Sequence, residues 1–191
     1  MLIDIHTHRP TKAVTIRTVG VHPWHAAECS LPTIEAIEAA DAVGEIGLDK
    51  ACGVDFEMQR ALFIKQLELA ERFEKPVVLH CVRAFEEVMT LLERYTLRAV
   101  LFHGFIGSRE QASRAVKKGY YLSFGARTEG SNKTIEALRE TPLERLFVET
   151  DEAETTIEAM YQTIARLRGT EVEELEEATA ENYKRIFTFK R

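Results

Sequence analysis

Cysteine, positive charge and long apolar runs are all in short supply in this sequence, and each shortage removes a class of protein. The three cysteines, Cys29, Cys52 and Cys81, are odd in number and form no CxxC pair, which argues against a disulfide framework and predicts a reducing, cytoplasmic setting. No stretch reaches membrane-spanning length, so no membrane partner is expected. Met1 runs straight into an apolar strand without a basic or hydrophobic leader, so no export signal is read. A formal net charge of −6 leaves no general basic surface. A polyanionic substrate would need local counter-charge, from metal ions or a few placed arginines and lysines.

What is present is an ordinary core-forming composition. With 191 residues and 45% hydrophobic content, the chain suits a single domain spanning 1–191. Extended apolar segments alternate with amphipathic ones. Strands are predicted over Leu2 to His8, Val14 to Val21, Ala42 to Gly47, Pro76 to His80, Ala99 to His103, Tyr120 to Phe124 and Leu146 to Asp151. Helices are predicted over Leu31 to Ala40, Phe56 to Phe73, Phe85 to Tyr95, from Ser108 to Gly119, Asn132 to Glu140, Glu154 to Leu167 and Glu171 to Ile186. Ser108 with Gln111, and Thr170 with Glu173, have capping-box spacing. Wholly apolar runs such as Pro76 to Leu79 suit strands covered on both faces. About seven strands alternating with helices are expected of an α/β barrel or a related closed sheet. The connection after His8 is short for a parallel crossover unless the second strand begins late, near Thr18.

The chemistry starts at Asp4-Ile-His6-Thr-His8. In an extended segment His6, His8 and Asp4 project to one side and Ile3 and Ile5 to the other, so two imidazoles converge. Glu45, His80, His103 and Asp151 each fall at or next to the end of an apolar run. In α/β barrels catalytic groups sit at the carboxyl ends of strands, and these residues are so placed. One histidine at a strand end is commonly a hydrogen-bonded structural group; four of six histidines arriving this way with two carboxylates point to a shared metal site.

The ordered motifs Asp4-Ile-His6-Thr-His8, Gly20-Val-His22-Pro23, Gly44-Glu45-Ile-Gly47-Leu-Asp49, Pro76-Val-Val-Leu-His80, His103-Gly-Phe-Ile-Gly107-Ser108 and Glu149-Thr-Asp151 resemble the signatures of the TatD family of metal-dependent hydrolases. The resemblance implies a shortened TIM-barrel-like metallo-dependent hydrolase fold and two divalent ions, zinc, manganese or magnesium. It implies phosphodiester hydrolysis, with DNA, single-stranded or nicked, as the usual substrate and a small phosphoester as another. It assigns His6, His8 and Asp151 to one metal, Glu45 to a bridge, and His80 and His103 to the second metal.

Two ions activate water and clamp phosphoryl oxygens, and imidazole with carboxylate suits zinc, manganese or iron better than magnesium. Asp151 is the expected general base, with Glu45 the second catalytic carboxylate. His22, by resemblance at the site mouth, and Arg83 are the expected phosphate contacts. Trp24 and His25 read as loop packing, although an aromatic there is able to stack on a base. Lys117 and Lys118 read as a charged helix end. Where the family usually has His-x-Arg, the chain has His80-Cys81-Val82-Arg83, and Glu152-Ala153 stands where Ala-Pro is usual. The same metals also serve small phosphoester, amide or lactone hydrolysis, which is the alternative activity.

Overall fold

The computed structural model describes residues 1–187. The chain divides into two compact units, one running Ile16–Phe102 and the other combining Met1–Thr15 with the chain from His103 onward.

The Ile16–Phe102 unit is built from parallel strands, with helices in the connections. Its elements are β1 (Thr18–Val19), α1 (Ile34–Ala39), β2 (Ala42–Asp49), α2 (Phe56–Arg72), β3 (Val77–Val82), α3 (Phe85–Leu92) and β4 (Val100–Phe102). β1, β2, β3 and β4 pair in that order, all parallel. Nearly every residue of β2 is buried, as a strand covered on both faces requires. Between Val43 and Ile46 the β2–β3 register slips, β2 using one residue more than β3, and Glu45 lies in that irregularity. Such an insertion bends the strand and re-aims its side chains. Gly47, next along, has φ of 144°, and a Cβ there would come within 1.9 Å of the His80 carbonyl oxygen, so only glycine fits.

α2 starts where Asp55 accepts a hydrogen bond from Met58 N, a cap of about 1 kcal/mol. Its buried face is Gln59, Leu62, Phe63, Gln66, Leu67 and Ala70. Ala61 is exposed, and Ile64 and Leu69 are half-buried. Two glutamines stand on that buried face. Each uses its amide as a surrogate backbone: Gln66 accepts from Val21 N at 2.7 Å and donates to Val21 O at 3.0 Å. Gln59 does the same for Asp49, at 2.8 and 3.0 Å.

The second unit contains α4 (Arg109–Lys117), β5 (Tyr121–Phe124), α5 (Asn132–Glu140), β6 (Leu146–Val148), α6 (Ile157–Arg168) and α7 (Val172–Phe187). β5 and β6 are parallel neighbours. The Ser108–Gln111 capping box forms with both of its hydrogen bonds. α6 starts at Ile157 rather than Glu154 because the Thr156 side chain accepts from Ala159 N and so sets the helix start there. It ends at Gly169 in the left-handed region. At α7 the Thr170 hydroxyl meets the Glu174 carboxylate, one residue beyond the expected Glu173 partner.

Six strands are present among the described residues, against about seven expected. The difference is the opening segment. Leu2 to His8 makes isolated parallel bridges, Ile3 with Val14 and Thr7 with Asp151, in place of a continuous ladder. The break at Arg9-Pro10 leaves too little chain for a longer parallel run. The second strand does begin late, at Thr18. Ile3 and Ile5 are fully buried, and the Tyr161 hydroxyl donates to Ile3 O at 3.0 Å.

Candidate functional site

In the unit that carries the amino-terminal segment, backbone bonds set the first donor group. Ile5 N donates to Val148 O, Asp151 N to His6 O at 3.0 Å, and His8 N to Asp151 O at 3.1 Å, so the opening segment is strapped beside the continuation of β6. His6 Nε2 and His8 Nε2 lie 3.7 and 3.5 Å from Asp151 Oδ1. The two rings stand edge to face with centroids 4.9 Å apart. His6, His8 and Asp151 thus offer ligand atoms within 4.8 Å of one another, a spacing suited to one cation. Asp151 reaches this position with φ of 51°, a left-handed conformation that aspartate tolerates better than most residues.

His103, just beyond β4, has its ring centroid 4.3 Å from that of His6. Its Nδ1 lies 3.3 Å from Oε1 of Glu149, a carboxylate only 1% exposed that also accepts from the Ser123 hydroxyl. Burial pushes the Glu149 carboxyl up, but the neighbouring His103, His6 and Ser123 outweigh it and hold the group below the usual range. His103, Glu149 and Asp151 form a second set of donors within 4.8 Å. Asp4, 1% exposed, accepts from Thr150 N at 2.9 Å and from the Thr150 hydroxyl at 2.7 Å. Beside Asp151 opens a cavity of about 340 Å³ lined by Gly104, Gly125, Arg127, Glu149 and Glu152 among others.

The Ile16–Phe102 unit gathers a donor group of its own, His22, Glu45 and His80, again within 4.8 Å. His80 Nδ1 lies 2.7 Å from Glu45 Oε1, and its Nε2 lies 2.9 Å from Asp49 Oδ2. Asp49 also accepts from the Trp24 indole at 2.7 Å and from Ala51 N at 2.7 Å. Burial raises the Asp49 carboxyl; the bonds from Trp24 and His80 more than offset this and keep it below the ordinary range. His80 thus lies between two carboxylates, and the Asp49 contact orients its ring against Glu45. His22 is constrained differently. Its Nδ1 accepts from Trp24 N at 3.2 Å, so in the neutral ring the proton sits on Nε2, 3.3 Å from Glu45 Oε1. The His22 ring thus faces the Glu45 carboxylate across 3.3 Å.

Each sequence-predicted donor takes part in one of these groups. Two of them sit differently from expectation, because β2 and β3 stay paired out to Asp49 and Val82: Glu45 and His80 lie inside their strands rather than at the ends. Arg83 is exposed on the bend after β3, with φ of 53°. Sequence reasoning gave no role to Asp49, Glu149, Asp4, Arg127, Gln59 or Gln66. Asp49 and Glu149 stand inside quoted motifs, so a polar residue flanking a ligand on the same strand was the available signal. The glutamines carried none, since a buried amide is not visible in periodicity.

Imidazole and carboxylate donors at this spacing fit a divalent cation. Comparison with known proteins agrees. A family model described as TatD related DNase matches residues 4–188. The chain is 31% identical over 193 residues to the uncharacterized metal-dependent hydrolase YabD of Bacillus subtilis, covering 88% of this chain and 76% of that protein. It is 35% identical over 147 residues to the 3'-5' ssDNA/RNA exonuclease TatD of Shigella flexneri, covering 70% of this chain and 56% of that protein. The crystal structure of YjjV, a TatD homologue from Escherichia coli, superposes with a TM-score of 0.80 at 29% identity, covering 92% of this chain and 78% of that one. The fold class expected from the sequence, an α/β, TIM-barrel-like metal-dependent hydrolase fold, holds. With its motifs, its fold and its donor groups in agreement, the chain belongs to the TatD related DNase family.

Proposed function

We propose that the chain is a single catalytic domain that hydrolyses phosphodiester bonds of single-stranded DNA with two divalent cations, in the cytoplasm. The observation that carries this reading is the convergence of His6 and His8 on one oxygen of Asp151, at 3.7 and 3.5 Å. A ligand set of two imidazoles and a carboxylate leaves positions open for water and substrate. His6, His8 and Asp151 would hold one cation; His80 and Glu45 would contribute to the second, with His103 beside them in role. Bound cations acidify water and neutralise charge on phosphoryl oxygens.

The chain's own residues supply the rest. The second oxygen of Asp151 is the proton acceptor for the attacking water. Glu149 receives the imidazole of His103 and fixes its orientation, as Asp49 does for His80. His22, its Nε2 3.3 Å from Glu45 Oε1, lines that carboxylate at the site. The cavity beside Asp151, with Arg127 on its wall, has room for a phosphate and its flanking sugar. Arg83 is exposed, where a phosphate is able to reach it.

The test is degradation of single-stranded DNA by purified protein supplied with Mn²⁺ or Zn²⁺. Asp151→Ala and Glu45→Ala should abolish it. Turnover of a small phosphoester with DNA left intact would instead establish the alternative, a small-molecule hydrolase using the same residues.

A further inference from the structure

The geometry points to Trp24 as a stacking platform for a base of the bound strand, an indole whose N–H is tied to Asp49 while about half of the residue stands in water. This rests on the proposed action on single-stranded nucleic acid and deepens it. Trp24 is 55% exposed although it is the largest apolar side chain in the protein. A free surface indole samples several rotamers, and this one is pinned. Its Nε1 donates to Asp49 Oδ2 at 2.7 Å, and Asp49 is itself 3% exposed, with its backbone gripped by Gln59. The backbone of Trp24 is fixed as well, within the 3₁₀ turn Pro23–His25, by the bond from its N–H to His22 Nδ1.

The ring is nearly perpendicular to His22, with centroids 4.8 Å apart at 82°, and lies 6.0 Å from His80. It therefore borders the His22, Glu45 and His80 donor group. With the indole N–H already used, only a π face and an apolar rim remain for a ligand. That surface suits a flat base of any sequence and offers nothing to a phosphate. Because the ring is already ordered, stacking costs little conformational entropy. A chain of net charge −6 has little general attraction for a polyanion, so stacking supplies affinity that charge does not.

Trp24 is the one tryptophan in the sequence, so intrinsic fluorescence reports on it alone. The experiment titrates the protein with a phosphorothioate-linked oligothymidylate, which resists cleavage, and with an abasic strand of equal length and charge. The expected result is saturable quenching by oligothymidylate and almost none by the abasic strand. Trp24→Ala should weaken oligothymidylate binding, read by anisotropy of a labelled strand, by about tenfold. Trp24→Phe keeps a π face without the N–H and should retain most of the affinity. Equal quenching by both strands would overturn the proposal, since the indole would then be sensing phosphate. Cleavage of ordinary DNA without quenching, and with Trp24→Ala binding as wild type, would overturn it while leaving the proposed function in place. Neither cleavage nor quenching would remove both.

Discussion

Asp4 holds Thr150 by two hydrogen bonds, one from its backbone N–H at 2.9 Å and one from its hydroxyl at 2.7 Å, immediately before Asp151. Both residues are buried. The carboxylate thereby fixes the backbone from which Asp151 departs into its left-handed conformation. Asp4→Ala leaves the buried Thr150 N–H without its acceptor and the Thr150 hydroxyl with only Thr7 to meet. The expected cost is about 2 to 4 kcal/mol of stability, measured by urea denaturation, together with weaker cation binding at His6, His8 and Asp151.

The contact of Asp49 with His80 leads to a different outcome. Asp49→Ala removes the carboxylate that orients the His80 ring through Nε2 and frees the Trp24 indole. Loss of such an outer partner lowers metal affinity by roughly 10- to 100-fold. Calorimetric titration of Zn²⁺ or Mn²⁺ into chelator-treated protein measures it, and an undiminished affinity would show that His80 is oriented by something else.

Gly47 admits no side chain. Gly47→Ala places a Cβ against the His80 carbonyl and demands a φ that alanine avoids. Destabilisation of about 3 kcal/mol or more is expected, seen as a lower urea midpoint and reduced soluble yield.

The cysteines should separate by reactivity. Cys29 is exposed, whereas burial pushes the Cys81 thiol up to about 12. Since the thiolate is the nucleophile, Cys81 stays protonated and inert at pH 8. Iodoacetamide followed by peptide mapping should label Cys29 first and Cys81 only after denaturation. Prompt labelling of Cys81 in the native protein would contradict the raised pKa of its thiol.

Cation removal should also be visible in stability. Cations that bind only the folded chain stabilise it by mass action, about 2.7 kcal/mol at a hundredfold excess over Kd. Dialysis against chelator should lower the Tm, and Zn²⁺ or Mn²⁺ should restore it. In Asp151→Ala the restoration should shrink.

The elements most visible in the sequence were those whose residues answer to one rule. β3 and β4 read as apolar runs because both faces are covered, and α4 was fixed by Ser108 and Gln111, whose side chains complete its first turn. The donors were legible because imidazoles and carboxylates recur within or just beyond apolar runs, in the order of the motifs. What stayed hidden depends on partners far along the chain. Gln59 and Gln66 look like surface residues until Asp49 and Val21 are seen to need their amides. The aim of Glu45 depends on an irregularity in how β2 meets β3, which no local pattern announces. The opening segment alternates like a strand, yet it lacks consecutive neighbours to pair with.

The bond between Asp4 and Thr150 joins positions 146 apart, and His6 and His8 depend on the same distant stretch for Asp151. During synthesis, then, both histidines leave the ribosome long before their carboxylate exists. Until Asp151 follows, the His6 and His8 pair lacks the oxygen on which it converges, so this donor group closes only once the intervening chain has been made.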